Sequence, residues 1–125
     1  MKNKKFYELY MDFDKLRDNG IFPSDIDMLY KCDDNYLIIG EIKLQGYRIY
    51  GTQEKVLTNI IDQHKDGGVL IEIHHTERVQ DGAESVDVSR CEVARAYFNK
   101  KWHEYTQPLS VLDWMQGLQK KHMCV

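Results

Sequence analysis

Residues 25–43 read DIDMLYKCDDNYLIIGEIK, two runs of strand-forming residues on either side of the turn residues Asp33-Asp34-Asn35. If the chain folds back at this turn as an antiparallel hairpin, Asp27 lies opposite Glu41. Directly opposed residues point to the same face of a sheet, with Cβ atoms about 5 Å apart. Because two carboxylates at that distance repel each other, the hairpin predicts a neutralising group between them. A divalent cation with oxygen ligands is the natural candidate.

Lys43 lies two residues beyond Glu41 and therefore on the same face of the predicted strand. In the same register, Asp25 lies opposite Lys43. A lysine beside paired carboxylates suits the hydrolysis of a phosphodiester. A simpler interpretation makes Asp25 and Asp27 edge charges that discourage aggregation, with Lys43 pairing with Asp25. On these residues alone the simpler interpretation is favoured, and the metal site is preferred because the spacing also matches the family pattern given below.

The composition is that of an ordinary globular protein and predicts one domain over residues 1–125. Of its residues, 42% are hydrophobic and 30% charged, and the formal net charge is −3. This charge does not itself indicate a nucleic-acid-binding protein. Basic residues nevertheless gather at 2–5, 100–101 and 120–122, and such patches can hold phosphates, although most surface lysines are merely solvated.

The sequence also predicts where the protein resides. No apolar stretch approaches the roughly 20 residues that a membrane span needs. The N-terminus lacks the apolar segment of a signal peptide. Cys32, Cys91 and Cys124 are widely spaced, without a CxxC pair. We therefore expect free thiols in a reducing cytoplasm and no membrane partner.

Periodicity outlines the remaining elements. It predicts a helix over 4–18, a second helix capped by Thr52 and ending at Gly67-Gly68, and a buried strand over 69–74. The order strand, helix, strand predicts a crossover with parallel pairing, and residues 47–50 either extend the strand or cross over. Residues 77–87 are expected to form a loop. Two further helices are predicted over about 89–101 and 110–121. The fold class is α/β.

The segments FPSDID (22–27) and GEIK (40–43) place Asp27, Glu41 and Lys43 in a pattern that resembles the PD-(D/E)xK nuclease superfamily. The resemblance covers about residues 4–75. Within the superfamily, the pattern resembles small phage-encoded or resolvase-like members. It implies a restriction-endonuclease-like core: a mixed central sheet with an acidic antiparallel hairpin, a crossover helix and flanking helices. A C-terminal helical part is expected over about 88–122. The family core usually has a strand before the hairpin, where this chain offers only Ile21-Phe22.

The resemblance also implies roles for the site residues. Asp27 and Glu41, with the Ile42 carbonyl, would hold Mg²⁺ or Mn²⁺. Lys43 would orient or activate the attacking water and stabilise charge on the phosphate. Gln53, at the start of the crossover helix, matches a glutamine found there in some members.

Other candidate residues are auxiliary. Glu8 on the first helix would be an auxiliary acid, with Asp12 equally well placed, and Asp25 would be an alternative ligand. Tyr47, Arg48 and Tyr50 are candidate substrate contacts, because aromatic rings stack on bases and arginine binds phosphate.

The histidines are expected to have structural roles. His74 and His75 are adjacent on a predicted strand and so point to opposite faces, which prevents them from sharing one metal. His64 lies near the end of the crossover helix, where a cation suits the helix dipole.

Two functions from different classes follow. The first is a Mg²⁺-dependent endodeoxyribonuclease in a bacterial or phage-infected cytoplasm, whose partner is DNA and which would gain DNA-binding surface as a homodimer. The second is a non-catalytic binding protein on the nuclease scaffold, such as a phage-encoded inhibitor or regulator. The sequence leaves open whether the nucleic acid is DNA or RNA.

Overall fold

The computed structural model describes residues 14–20, 26–78 and 81–122. Over these ranges the protein is α/β, with a five-stranded mixed sheet and three α-helices. The strands are β1 (Met28–Lys31), β2 (Leu37–Leu44), β3 (Gly68–His75), β4 (Glu92–Phe98) and β5 (Lys101–Glu104). The helices are α1 (Asp14–Asp18), α2 (Gly51–Gln63) and α3 (Val111–Gln119), with a short 3₁₀ helix at Val88–Arg90.

The strands lie in the order in which they occur along the chain. β2 and β3 are parallel and joined through α2, while the other neighbouring pairs are antiparallel. This confirms the predicted crossover. The hairpin register is also as predicted, since Lys31 pairs with Leu37 and Met28 with Gly40. Asn35 ends the turn with a φ of 69°, a left-handed conformation that asparagine tolerates well.

Each face of the sheet carries its own hydrophobic core because side chains alternate along the strands. One face packs against α2 through Leu57 and Ile61, which contact Ile39 and Leu70 in the same apolar cluster. The other face packs against α3 and the 3₁₀ helix, and its buried residues include Ile38, Val69, Ile71, Ile73, Val93 and Val111. The face that contacts α2 is called the α2 face below.

The predicted helix over 89–101 is wrong, and with it the expectation of a wholly helical C-terminal part over 88–122. These residues form the hairpin of β4 and β5. Its two-residue turn, Asn99 and Lys100, has φ values of 52° and 64°. Left-handed conformations at both positions mark the turn type that matches the twist of paired strands. The prediction failed because Ala94 and Ala96 resemble helix formers, whereas both faces of this strand are covered by packed side chains that favour extended structure.

The other predicted helices are present with adjusted bounds. The predicted helix over 110–121 is α3, capped by the Ser110 hydroxyl, which accepts from the Asp113 N–H. The N-terminal helix is confirmed over Asp14–Asp18, and residues 4–13 lie outside the described ranges. α2 begins one residue before Thr52, and Tyr50 is its N-cap residue without a side-chain hydrogen bond. Residues 47–50 cross over as irregular chain.

Two further expectations concern cysteines and membranes. Cys32 is disulfide-bonded, which corrects the prediction that all three thiols are free, while Cys91 is free and buried. Spacing along the chain could not predict this bond because it depends on which segments meet in three dimensions. Among the described residues, no helix has the length and apolarity required to cross a membrane.

Candidate active site

A row of charged residues crosses the α2 face at the carboxyl ends of the parallel strands. Glu41 pairs with Glu72, Glu72 with Arg95, and Arg95 with Glu104. Continuing the hairpin register by one residue places Asp27 opposite Glu41 at the other end of this row. Side chains of paired residues point to the same face. We call Asp27, Glu41, Glu72, Arg95 and Glu104 the polar row.

Asp27 and Glu41 form the acidic end of the polar row. Asp27 is exposed, and its Oδ2 accepts a 2.8 Å hydrogen bond from the Ile42 N–H. Glu41 is only 2% exposed. Burial raises the pKa of Glu41 to about 8, hydrogen bonding and charge repulsion from Asp27 add to the rise, and the Lys43 ammonium opposes it. Glu41 therefore holds a proton near neutral pH, first because its ionised form would be buried and second because Asp27 lies beside it.

Gln53 connects the acidic end of the row to the lysine. Its side-chain N–H donates to Glu41 Oε2 at 2.9 Å, and its Oε1 accepts from Lys43 Nζ at 2.9 Å. Gln53 reaches both groups because it lies in the first turn of α2, directly above the ends of β2 and β3. Glu41, Lys43 and Gln53 are thus brought together as one hydrogen-bonded group.

Glu72, in the middle of the polar row, is fully buried, and both its carboxylate oxygens have hydrogen-bond partners. Its Oε1 accepts from the Ile49 N–H at 2.8 Å and from Arg95 Nε at 3.1 Å. Its Oε2 contacts His74 Nε2 at 2.8 Å. Arg95 also donates to the Ile49 carbonyl at 2.9 Å. The backbone of Ile49 is therefore bonded through its N–H to Glu72 and through its carbonyl to Arg95. The ion pair thereby fixes the segment that leads into α2 and Gln53.

The predicted substrate contacts differ in availability. Tyr47 and Tyr50 are 62% and 77% exposed, so their rings are accessible. Arg48 instead makes two hydrogen bonds to Glu104, at 2.8 and 2.9 Å. This pairing lowers the pKa of the Glu104 carboxyl and occupies the guanidinium that was expected to bind phosphate.

The donors at the acidic end suit a small hard cation. Asp27 and Glu41 supply carboxylate oxygens, and the Ile42 carbonyl faces the same edge as its N–H because both groups of one strand residue point to the same side. Glu72 is not available as a further ligand, since both its oxygens are already bonded. Among the described residues, no group of three or more His, Cys, Asp or Glu side chains is placed to hold a metal. Two carboxylates with water and substrate oxygens are nevertheless a usual Mg²⁺ environment.

Sequence reasoning missed Glu72 and Arg95, and it assigned His74 only a structural role. The signal was a single charged residue, Glu72, within the apolar run of β3, which demands a buried partner. Arg95 was missed because residues 89–101 were predicted to form a helix rather than a strand. Asp25 and Glu8, two of the predicted auxiliary acids, lie outside the described residues.

Comparison with known proteins adds no assignment to this geometry: no family model, no curated protein and no solved structure matches the chain.

Proposed function

We propose that the protein is a metal-dependent nuclease that hydrolyses phosphodiester bonds in DNA, acting as an endonuclease with a restriction-endonuclease-like core. The observation that carries this proposal is the hydrogen-bonded group of Glu41, Gln53 and Lys43 beside Asp27. A buried carboxylate with a strongly raised pKa next to a fixed lysine is typical of a site built for chemistry.

The fold supports the placement of such a site. The parallel strands β2 and β3 both end at the polar row, and ligands of α/β sheets bind at the carboxyl ends of the strands. The acidic hairpin followed by a crossover helix also supports the resemblance to the PD-(D/E)xK superfamily. Tyr47 and Tyr50, exposed just beyond β2, would stack on bases of the nucleic acid.

Asp27, Glu41 and the Ile42 carbonyl would hold Mg²⁺ or Mn²⁺. When bound, such an ion lowers the pKa of water and neutralises charge that develops on the phosphate. Asp27 is held in place by the Ile42 N–H and Glu41 by Gln53, so both carboxylates are oriented before substrate arrives. Because Glu41 carries a proton near neutral pH, its carboxyl must release that proton in order to act as a ligand.

Lys43 would orient the attacking water and donate to a non-bridging phosphate oxygen. Its ammonium already donates to Gln53, which restricts the side chain to one position. A donor fixed in advance costs little reorganisation when negative charge builds up in the transition state. Water would attack phosphorus and lose a proton to solvent, the bond to the leaving oxygen would break, and that oxygen would take up a proton from solvent.

The direct test is to incubate pure protein with plasmid, linear single-stranded and branched DNA, and with RNA, in Mg²⁺ or Mn²⁺ and in EDTA. Cleavage of DNA that requires the metal supports the proposal. Cleavage of RNA alone would indicate that the substrate is RNA rather than DNA. Release of nucleotides from DNA ends alone would indicate an exonuclease. No cleavage of any substrate would favour the non-catalytic binding protein, a function consistent with a net charge of −3.

A further inference from the structure

A cavity of about 450 Å³ lies between the sheet and α3, on the face of the sheet opposite the polar row. Its floor includes the buried Val69 of β3, and its walls carry four aromatic side chains, Tyr36, Phe98, Tyr105 and Trp114. Small-molecule sites are mostly apolar spaces of roughly 300–1,000 Å³ with a few placed polar groups. We call this space the aromatic cavity.

Gly117 keeps the aromatic cavity open. It lies inside α3 and lines the cavity, and a Cβ atom added there would meet no packed neighbour among the described residues within 4 Å. Glycine is a poor residue for a helix interior because it loses more backbone freedom on folding than alanine does. Packing does not demand a glycine here, since there is room for a side chain. The residue therefore weakens α3 while leaving space beside the aromatic rings.

Trp114 presents its indole ring to this space. It lies three residues before Gly117, and residues three apart are neighbours on a helix surface. The indole N–H donates to the Tyr105 hydroxyl at 3.0 Å, which holds the ring in one orientation. In the part of the chain that the structure describes, no other ring stacks on Trp114. A flat ring that enters the cavity can therefore stack on the indole.

Opposite charges stand at the two ends of the cavity. Asp113 lies in the first turn of α3 and Lys121 just beyond its last turn, about 12 Å apart at 1.5 Å per residue. Both side chains are exposed, and within the described ranges neither has a hydrogen-bond or ion-pair partner. They are too far apart to pair with each other. Both charges are therefore available to a ligand.

The end of β4 and the last turn of α3 lie at the same edge of the sheet. Phe98 ends β4 beside the start of β3, since the preceding Tyr97 pairs with Leu70. His122 stacks on Tyr36, which directly precedes β2, with the ring centres 4.0 Å apart. Because β2 and β3 are parallel, both begin at this edge. The lysines that follow β4 and α3 therefore meet at one end of the cavity.

These lysines belong to the two basic segments at 100–101 and 120–122. Lys101 is the register partner of Phe98, so both side chains point to the face that carries the cavity. Phe98 and Lys121 both line the cavity. Neither Lys101 nor Lys121 is paired with a carboxylate of the described residues. The pair supplies positive charge that suits a phosphate.

Two carboxylates of the described residues come near without cancelling this charge. Asp113 stands at the opposite end of the cavity. Asp34 is bonded to His122 at 2.8 Å, and this contact lowers the pKa of the Asp34 carboxyl. Of these two partners His122 lines the cavity and Asp34 does not, so the imidazole separates that carboxylate from the space. The end that carries Lys101 and Lys121 is therefore suited to an anion.

We propose that the aromatic cavity binds an unpaired guanine nucleotide of single-stranded DNA. The base stacks on Trp114, its N1 and N2 N–H groups donate to the two oxygens of Asp113, and its phosphate lies beside Lys101 and Lys121. Guanine fits because it presents two neighbouring N–H donors on one edge. Adenine, cytosine and thymine each place an acceptor atom beside the donor, and a carboxylate repels that acceptor.

The cavity and the candidate active site lie on opposite faces of the sheet. Binding in the cavity needs neither a metal ion nor cleavage, so it is measured in EDTA. A guanine preference in EDTA without any cleavage in Mg²⁺ would support the cavity site while the proposed nuclease function fails.

The first experiment measures Kd by fluorescence anisotropy with a labelled thymine oligonucleotide that carries one central guanine. Matched probes have inosine or thymine at that position. We expect guanine to bind about 5- to 150-fold more tightly than thymine, the range for one bidentate base contact. Inosine, which lacks the N2 amino group, should bind with an intermediate Kd. Equal Kd values for guanine and thymine would overturn the proposal, and equal values for guanine and inosine would overturn the bidentate contact.

Asp113→Asn and Gly117→Leu test the cavity itself. Asp113→Asn should lose most of the preference for guanine and still fold, because the cap of α3 uses only the backbone N–H of this residue. Gly117→Leu should lose binding because its side chain fills the space, and its urea midpoint should be no lower than that of wild type because leucine favours a helix. The exposed Asp66→Asn is the control and should keep the wild-type preference. An unchanged preference in Asp113→Asn would count against the assigned contact.

Lys121→Ala tests the phosphate contact. The slope of log binding constant against log salt should become less steep by about 0.7, the value for one phosphate contact on a single strand. Lys55→Ala, an exposed lysine of α2 on the other face of the sheet, should keep the wild-type slope. An unchanged slope in Lys121→Ala would remove the lysine from the site. Free deoxyguanosine monophosphate should compete weakly, and competition as strong as that of the oligonucleotide would overturn the assignment to a strand.

Discussion

The side-chain amide of Gln53 donates to Glu41 at 2.9 Å, and the oxygen of the same amide accepts from Lys43 at 2.9 Å. One residue of α2 therefore orients both a carboxylate and an ammonium on β2. This relationship makes Gln53 the residue on which the geometry of the candidate site depends.

We expect Gln53→Ala to lower the rate of DNA cleavage about 10- to 100-fold, the loss typical of residues that orient metal ligands. Without the amide, Lys43 gains rotational freedom and Glu41 loses a donor. The measurement is plasmid nicking in Mg²⁺. Gln63→Ala, at the exposed end of the same helix, should cleave like wild type. Equal rates for both variants would remove Gln53 from the site.

Lys43→Ala should lose cleavage while keeping most of its affinity for metal and DNA. The lysine acts more strongly on the transition state than on the bound substrate, and losing such a donor typically costs about 100- to 1,000-fold in rate. Single-turnover cleavage and the metal-dependent shift in melting temperature measure the two properties separately. The exposed Lys65→Ala is the control. A fully active Lys43→Ala would mean that the site lies elsewhere.

The metal-free stability of the protein should depend on pH through Glu41. Its pKa rises from 4.5 in the unfolded chain to about 8 in the folded protein, so across this window the folded state holds a proton that the unfolded state has released. Stability is thus highest below the lower value and falls as pH rises through the upper one, by up to about 1.4 kcal/mol per pH unit. Urea denaturation in EDTA across this range should show a steeper decline for wild type than for Glu41→Gln. Parallel curves would contradict the raised pKa.

Mg²⁺ or Mn²⁺ should raise the melting temperature of the wild type, and Asp27→Asn should abolish most of that rise. A ligand that binds only the folded state stabilises it by about 2.7 kcal/mol at a hundredfold excess over its Kd. In EDTA above the pKa of Glu41, Asp27→Asn should be more stable than wild type because a repelling charge is gone. The exposed Asp66→Asn should respond to metal as wild type does. An unchanged metal response in Asp27→Asn would exclude Asp27 as a ligand.

Arg95→Met should destabilise the fold by about 3–5 kcal/mol, because it leaves the carboxylate of Glu72 buried without its charge partner. Combining it with Glu72→Gln should restore part of the loss, since the variant then buries no unpaired charge. Urea denaturation of the two single variants and the double variant measures this coupling. Strictly additive losses would mean that the ion pair does not act as a unit.

Local sequence determined the hairpin, the crossover and most of the candidate site. The turn at Asp33-Asp34-Asn35 sets the register of β1 and β2, and the register alone places Asp27 opposite Glu41. The two-residue period of a strand then puts Lys43 on the same face. These relationships were predictable because each depends on neighbours in the chain or across a single turn.

Only the tertiary structure decided the rest. The residues of β4 form a strand because their side chains pack on both faces of the sheet. This strand places Arg95 beside Glu72, and no spacing in the sequence indicates that pairing. The raised pKa of Glu41 comes first from burial, and burial depends on α2 covering the sheet. Long-range packing and desolvation set these properties, whereas turn chemistry and side-chain alternation set the hairpin.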